Sequence, residues 1–159
     1  MIWVFEDGPF FDGSRRFTEQ SRVEYVFVGL DFNLAECSSI DLMVDKYKQS
    51  VNRTLIPWES DIVLPQAWRF SHEIELGDYA VVSCNHSALV GKIAGAYSID
   101  QDQSGKTRHY YKIISRGVLP ASHGLPPSLK ALTHGLRGHG EPFGDQRTVL
   151  TLDRYFATA

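Results

Sequence analysis

A chain of 159 residues and 17.9 kDa has the size of one ordinary domain, and 43% hydrophobic with 22% charged side chains is the usage of a folded globular protein, not of a disordered, collagen-like or coiled-coil one. A formal net charge of -3 and an isoelectric point near 6.0 exclude broad electrostatic adhesion to nucleic acid, which needs Lys and Arg massed along one face, and leave room only for a local basic patch. Cys37 and Cys84 stand far apart with no Cys-x-x-Cys or Cys/His cluster, so neither a disulfide framework nor a zinc knuckle is indicated, and a reducing cytosol fits best.

Ile2–Phe5 is a short run of β-forming residues stopped by the turn chemistry of Glu6-Asp7-Gly8-Pro9, and it predicts a first strand. The acids at positions 6 and 7 arrive before any apolar stretch reaches the length of a signal peptide core, and no later segment approaches the roughly 18 apolar residues of a membrane span. The protein is expected to be cytoplasmic, neither secreted nor inserted. After a polar loop at Asp12–Arg16, the stretch Val23–Val28 predicts a second strand ending at Gly29. Ile40, Met43, Val44, Tyr47 and Val51 recur at the spacing of one helical face, and Ser38 with Asp41 resembles a capping box, which predicts a helix over about 39–52. Arg53–Leu64 reads as a surface loop. Pro65 then suits a first helical position, and a short helix follows until Gly77.

Tyr79–Ser83 predicts a strand, and Ala88–Ile99 a longer one whose Gly91 and Gly95 mark a bulge, a sharp bend or a close backbone approach. Asp100–Lys106 is a polar hairpin loop, and Tyr110–Ser115 returns as the partner strand. Pro126-Pro127 opens a short helix to about His134, a Gly-rich loop spans 135–144, and Arg147–Leu152 reads as a last strand. Strands outnumber helices and the connections near 79–115 have hairpin length. The expectation is a single α+β domain over 1–159, a small, mostly antiparallel β-barrel flanked by short helices.

Enzyme signatures fail one by one. His72-Glu73 opens like a zinc-protease helix motif, but Leu76 stands where the second histidine belongs, and there is no Pro-Cys-x-x-Cys partner for a zinc deaminase. The His134–Gly140 loop lacks the Gly-Lys-Ser/Thr ending of a phosphate loop. Cys84-Asn85-His86 groups a thiol with an imidazole, yet consecutive residues point in different directions and defeat direct proton transfer. No catalytic residue, metal or cofactor is expected.

What remains is an ordered series: Trp3-Val4-Phe5; Val28-Gly29-Leu30-Asp31-Phe32; Trp68-Arg69-Phe70; Ile74-Glu75-Leu76-Gly77-Asp78-Tyr79; Val90-Gly91-Lys92-Ile93-Ala94-Gly95-Ala96-Tyr97; and Arg108-His109-Tyr110-Tyr111-Lys112-Ile113. With these residues in this order the chain resembles the PUA-like superfamily, in the branch of EVE and YTH domains, and most of all the reader domain at the amino end of Mrr-like, modification-dependent restriction endonucleases. The stretch Trp68–Asp78 matches that branch's Trp-x-Phe-x-x-Glu-Ile-x-x-Gly-Asp pattern. Gly91–Tyr97 matches its Gly-x-Ile-x-Gly-x-Tyr strand and His109–Ile113 its following strand, while Leu30 departs from a Trp common in the branch.

The resemblance implies a PUA-like barrel whose pocket takes one modified base, flipped out of DNA and stacked between aromatic rings. By position it draws on Gly29, Leu30, Asp31 and Phe32, on Trp68, and on the strand end Ser83, Cys84, Asn85, His86 and Ser87. Asp31 or Asn85 would read a base edge, Phe32 or Trp68 would stack, Tyr97 would form a wall, and Lys92, Arg108 and His109 would touch phosphate. The same large side chains also suit plain packing of a helix against a barrel, so Trp68, Phe70, Ile74 and Tyr97 carry two readings. The implied partner is modified DNA, with an effector nuclease as a separate domain or chain. RNA binding, or binding of a protein or small ligand without nucleic acid, are the alternatives.

Overall fold

A computed structural model describes residues 1–6, 13–84, 87–120, 129, 141–142 and 146–157. It is α+β, and its described residues gather into two compact units, each assembled from separate stretches: Met1–Val23, Glu75–Ala96 and Tyr111–Ala159 in the first, Glu24–Ile74 and Tyr97–Tyr110 in the second.

The first unit is built on the strands β1 (Ile2–Glu6), β3 (Tyr79–Cys84), β4 (Ser87–Ile93), the later part of β6 (Thr107–Leu119) and β7 (Glu141–Pro142), in the order β6-β4-β3-β1-β7. β1 runs parallel to β3, with Ile2 opposite Tyr79 and Phe5 opposite Val82, while the β3/β4, β4/β6 and β1/β7 ladders are antiparallel. Ile2, Trp3, Val4 and Phe5 are all buried, which explains why β1 reads as an unbroken apolar run with no polar alternation: both of its faces are covered. On one face Ile2, Val4, Tyr79, Val81, Val90 and Leu119 pack with Leu152 and, at their rim, with Val149, Tyr155 and Phe156. These last four lie on helix α4 (Gln146–Ala157).

That helix replaces the strand expected at Arg147–Leu152. Val149, Leu152 and Phe156 fall three and four residues apart, so one helical face reaches the core. A second correction is helix α1 (Gly13–Gln20), which occupies what reads as a polar loop. Phe17 is its buried anchor and an Arg15–Glu19 pair one turn apart ties its outer surface. The long strand expected over 88–99 is broken. β4 ends at Ile93, and β5 (Ser98–Gln101) pairs with the first residues of β6 in the second unit. The bulge lies where glycine predicts it, between Val90 and Gly91, because a Cβ on Gly91 would stand 3.0 Å from the Ile114 carbonyl oxygen and 3.1 Å from the Phe17 ring. Asp78, in the turn before β3, accepts the indole N–H of buried Trp3 at 2.8 Å and the Glu75 amide at 2.9 Å.

β2 (Arg22–Tyr25), whose last two residues open the second unit, stops three residues short of the expected Val28. Phe27 turns into the core, and the Leu30 amide closes a turn on the Phe27 carbonyl at 3.0 Å. Helix α2 (Ile40–Val51) is capped by Ser39, one residue after the expected Ser38, through a bond from the Leu42 amide. It ends on Asn52 in the left-handed region. The segment expected as a loop is helical from Pro57 onward. Pro57 stands at the first helical position, and the Glu59 carboxylate reaches back to the Ile56 amide at 3.0 Å, half of a capping box. The backbone widens to a π turn over Glu59–Val63 and continues as α3 (Leu64–His72). Pro65 has no N–H to give the turn before it and its ring needs room, and the wider turn supplies that room.

The helix expected at 126–134 and the loop 135–144 lie outside the described residues, apart from Leu129, which is buried in the core of the first unit, and the two residues of β7. No helix among the described residues is long and apolar enough to cross a membrane.

Candidate functional site

The core of the second unit is aromatic. Phe27 meets Phe70 edge-on at 5.7 Å and the His109 ring at 5.3 Å, and Phe70 meets Tyr97 at 6.3 Å. Out of this cluster rise the groups that shape the loop Gly29–Cys37. His109, fully buried on β6, donates from Nε2 to the Leu30 carbonyl at 2.8 Å. A carbonyl only accepts, so Nε2 carries the proton and Nδ1 is left as an acceptor, which takes the Tyr97 hydroxyl at 2.5 Å. The same hydroxyl oxygen accepts the Leu34 amide at 3.1 Å. Every member of this chain is satisfied with a neutral imidazole, and burial pushes the His109 pKa below its ordinary value and the Tyr97 phenol above its own.

The far end of the loop is held by a second histidine. His72, in the last turn of α3, has Nε2 2.9 Å from the Cys37 carbonyl and Nδ1 2.7 Å from the Ser71 hydroxyl. Its ring lies flat on the Trp68 indole, with centroids 3.6 Å apart and planes 14° apart. Sequence reasoning tests His72 only as half of a zinc motif. The signal that finds its true partner is the four-residue spacing from Trp68, which puts both rings on one face of the helix. Two histidines therefore clamp one loop, His109 at Leu30 and His72 at Cys37, with Tyr97 bonding the loop at Leu34 between them.

The clamped loop sorts its own side chains. Leu30 is fully buried, so it forms no wall open to a ligand, whereas Asp31 is exposed and Phe32 half-buried with the Lys46 ammonium 5.3 Å above its ring. Gly29 makes the geometry possible. Its φ of 86° is left-handed, and a Cβ there would stand 2.7 Å from the Tyr47 ring. Trp68 is half-buried, with one ring face covered by His72.

Two expected phosphate contacts turn out otherwise. His109 is sealed inside with both ring nitrogens occupied. Arg108 gives Nη1 to Glu24 at 3.1 Å and both Nε and Nη2 to Asp102, at 3.2 and 3.1 Å, because Asp102 organises the β5–β6 hairpin and needs a cation beside it. Bonds from the Ser104 hydroxyl, together with the Ser104 and Lys106 amides, hold the Asp102 carboxyl below the usual carboxylate range. Lys92 belongs to the first unit, where its ammonium sits 4.8 Å over the Tyr79 ring and 3.7 Å from the Asp153 carboxylate. Ser83 is buried in β3 of that unit and Cys84 follows it in the strand, while Asn85 and His86 lie outside the described residues.

A further cluster went unread in the sequence. Glu59, 3% exposed, takes Arg53 in a two-pronged pair at 2.6 and 2.8 Å, the Ile56 amide, and the Tyr47 hydroxyl. Arg53 and Tyr47 acting as donors hold its carboxyl down at about 2. Among the described residues no group of three or more His, Cys, Asp or Glu is placed to hold a metal. Comparison of the chain with family models, with curated proteins and with solved structures gives no match.

Proposed function

We propose that this protein is a non-catalytic reader that holds one modified base, taken out of a DNA strand, against Trp68 and the Gly29–Cys37 loop. In that role it is the specificity module of a cytoplasmic restriction or phage-defence system whose nuclease is a separate domain or chain. The finer fold assignment, a PUA-like barrel of the EVE and YTH branch, belongs to the same proposal and is supported by the ordered motif series and the antiparallel ladders.

The observation that carries the reading is the Trp68–His72 stack bonded to the clamped loop. His72 fixes the indole from one face and the loop from its end, so the loop with its exposed Asp31 and half-buried Phe32 is tied to a flat ring whose orientation is set in advance. A preorganised aromatic surface, and an exposed carboxylate on the loop tied to it, are what a planar base with edge N–H donors needs. Stacking contributes ~1–3 kcal/mol per base against an extrusion cost of a few kcal/mol, and a buried methyl adds ~0.8 kcal/mol.

The test is a titration of the full chain with oligonucleotides carrying methylated, hydroxymethylated or unmodified cytosine, or methylated adenine. One modification is expected to bind best, and Trp68→Ala to weaken that complex roughly tenfold or more. Equal affinity for all of them, unchanged in Trp68→Ala, refutes the reader. RNA of the same sequence as competitor decides between the two backbones, because only RNA offers a 2′-hydroxyl.

One observation favours a second reading, a planar small ligand or peptide bound without nucleic acid: the unit that carries Trp68 has ten acidic against six basic side chains, a balance that repels a phosphate chain. A free modified nucleoside binding as tightly as the oligonucleotide would select it.

A further inference from the structure

Within the second unit an open groove of about 540 Å³ is lined by Lys48, Asn52, Arg53, Thr54 and Leu55. None of these five is acidic, in a unit whose acids outnumber its bases. Four of them present N–H or O–H groups, and two of those are cations. Among the described residues the side chains of Lys48, Asn52 and Thr54 make no ion pair or hydrogen bond. At the α2 carbonyl end beside them the Asn52 amide bonds the Lys48 carbonyl at 2.9 Å.

Arg53 is the fixed point of the groove. Its side chain is half-exposed, yet both terminal nitrogens are bonded to Glu59, and Nη1 also reaches the Thr54 carbonyl at 3.2 Å. The carboxylate that holds it is almost wholly buried and each of its oxygens takes two donors, so it restrains the guanidinium from behind without standing in the groove. The Glu59 carboxylate offsets the Arg53 charge, and the N–H groups left over, on Nε and one on Nη2, stand with the unengaged Lys48 ammonium, an amide and a hydroxyl as donors that complement the acceptor oxygens of a phosphate group.

We propose that this groove holds a phosphate of the bound strand's backbone, with Lys48 supplying charge and Arg53, Asn52 and Thr54 supplying hydrogen bonds. The assignment to a strand rests on the reader function proposed above. In an otherwise acidic unit it gives a nucleic acid a local foothold for its backbone.

The experiment compares the wild-type chain with Lys48→Gln and Thr54→Ala, both at exposed positions, and with Trp68→Ala, using a 12-nucleotide strand with and without the preferred modification at several salt concentrations. Lys48→Gln is expected to lower affinity for both strands by the same several-fold factor and to reduce the slope of log affinity against log salt by about one, while Trp68→Ala erases the preference between strands. Affinity and slope unchanged in Lys48→Gln and Thr54→Ala, with the wild type binding and discriminating, would overturn the groove and leave the reader standing. No binding by the wild type overturns both, and Lys48→Gln acting on one strand only shows that the residue reads the base and overturns the backbone assignment.

Discussion

Protonating His109 breaks a hydrogen-bond circuit that only the neutral ring completes. With a proton on each nitrogen, the Tyr97 oxygen faces two donors, from Nδ1 and from the Leu34 amide, and its own proton loses its acceptor. The direction of the pH effect follows from the lowered pKa. The unfolded chain takes up a proton near the ordinary value of 6.5 and the folded chain only below it. The contribution to stability is therefore complete above about pH 6.5 and is lost as the pH falls through the lower, folded value. Thermal unfolding followed from pH 7.5 to pH 5 should show a falling midpoint, and His109→Phe, less stable throughout, should lose the part of that slope which belongs to this ring. A slope identical in the two proteins would contradict the circuit. Glu59 works over a different range: its carboxyl is held at about 2 by Arg53 and Tyr47, so the stability it lends is present above the ordinary carboxylate value and is lost only in acid approaching pH 2.

Between neighbouring elements, small side chains decide how closely backbones approach. Gly91→Ala is expected to destabilise by ~1–3 kcal/mol, because the bulge in β4 leaves no room between the Ile114 carbonyl and the Phe17 ring, and calorimetry should register a midpoint lower by several degrees. A midpoint within one degree of wild type would mean that β6 and α1 give way. This glycine was legible because a glycine inside a strand has few other uses. β1, α2, α3 and β3 were legible for a similar reason, since burial and local preference agree in them. α4 was not. Thr148, Val149 and Thr151 are β-branched and favour a strand, and the helical register emerges only when Tyr155 and Phe156 are counted with them. α1 was hidden because a single apolar residue, Phe17, sets no period. The helical turns at Pro57–Val63 were hidden because their start rests on Glu59 bonding backwards, which composition does not show.

The whole molecule carries its charge unevenly, and that sets how it should respond to salt. On the proposed reading, with Trp68 and its loop in the acid-rich unit and phosphate contact centred on the Lys48 groove, the slope of log affinity against log salt should stay shallow, of magnitude about two or less, where a protein bound along a basic face shows several times that. Fluorescence titration from 50 to 300 mM salt, as round working concentrations, measures it, and a steep slope would mean that many more phosphates are engaged. Of the candidate site, the aromatic anchor Trp68 and the loop around Asp31 and Phe32 were visible in the sequence because large flat residues and a glycine turn leave a pattern. The inward roles of Arg108 and His109 were not, because a basic side chain looks the same in sequence whether it meets a phosphate or a buried acceptor.

The path of the chain carries a practical consequence for genetics. It passes from one unit to the other four times, at 23–24, 74–75, 96–97 and 110–111, the first of these inside β2 and the last inside β6. No single cut in the gene can therefore release either unit whole, and truncations from either end remove residues of the first unit before they reach the second. Point substitutions, each confined to one side chain, are therefore the way to locate an activity in the second unit, which no deletion isolates.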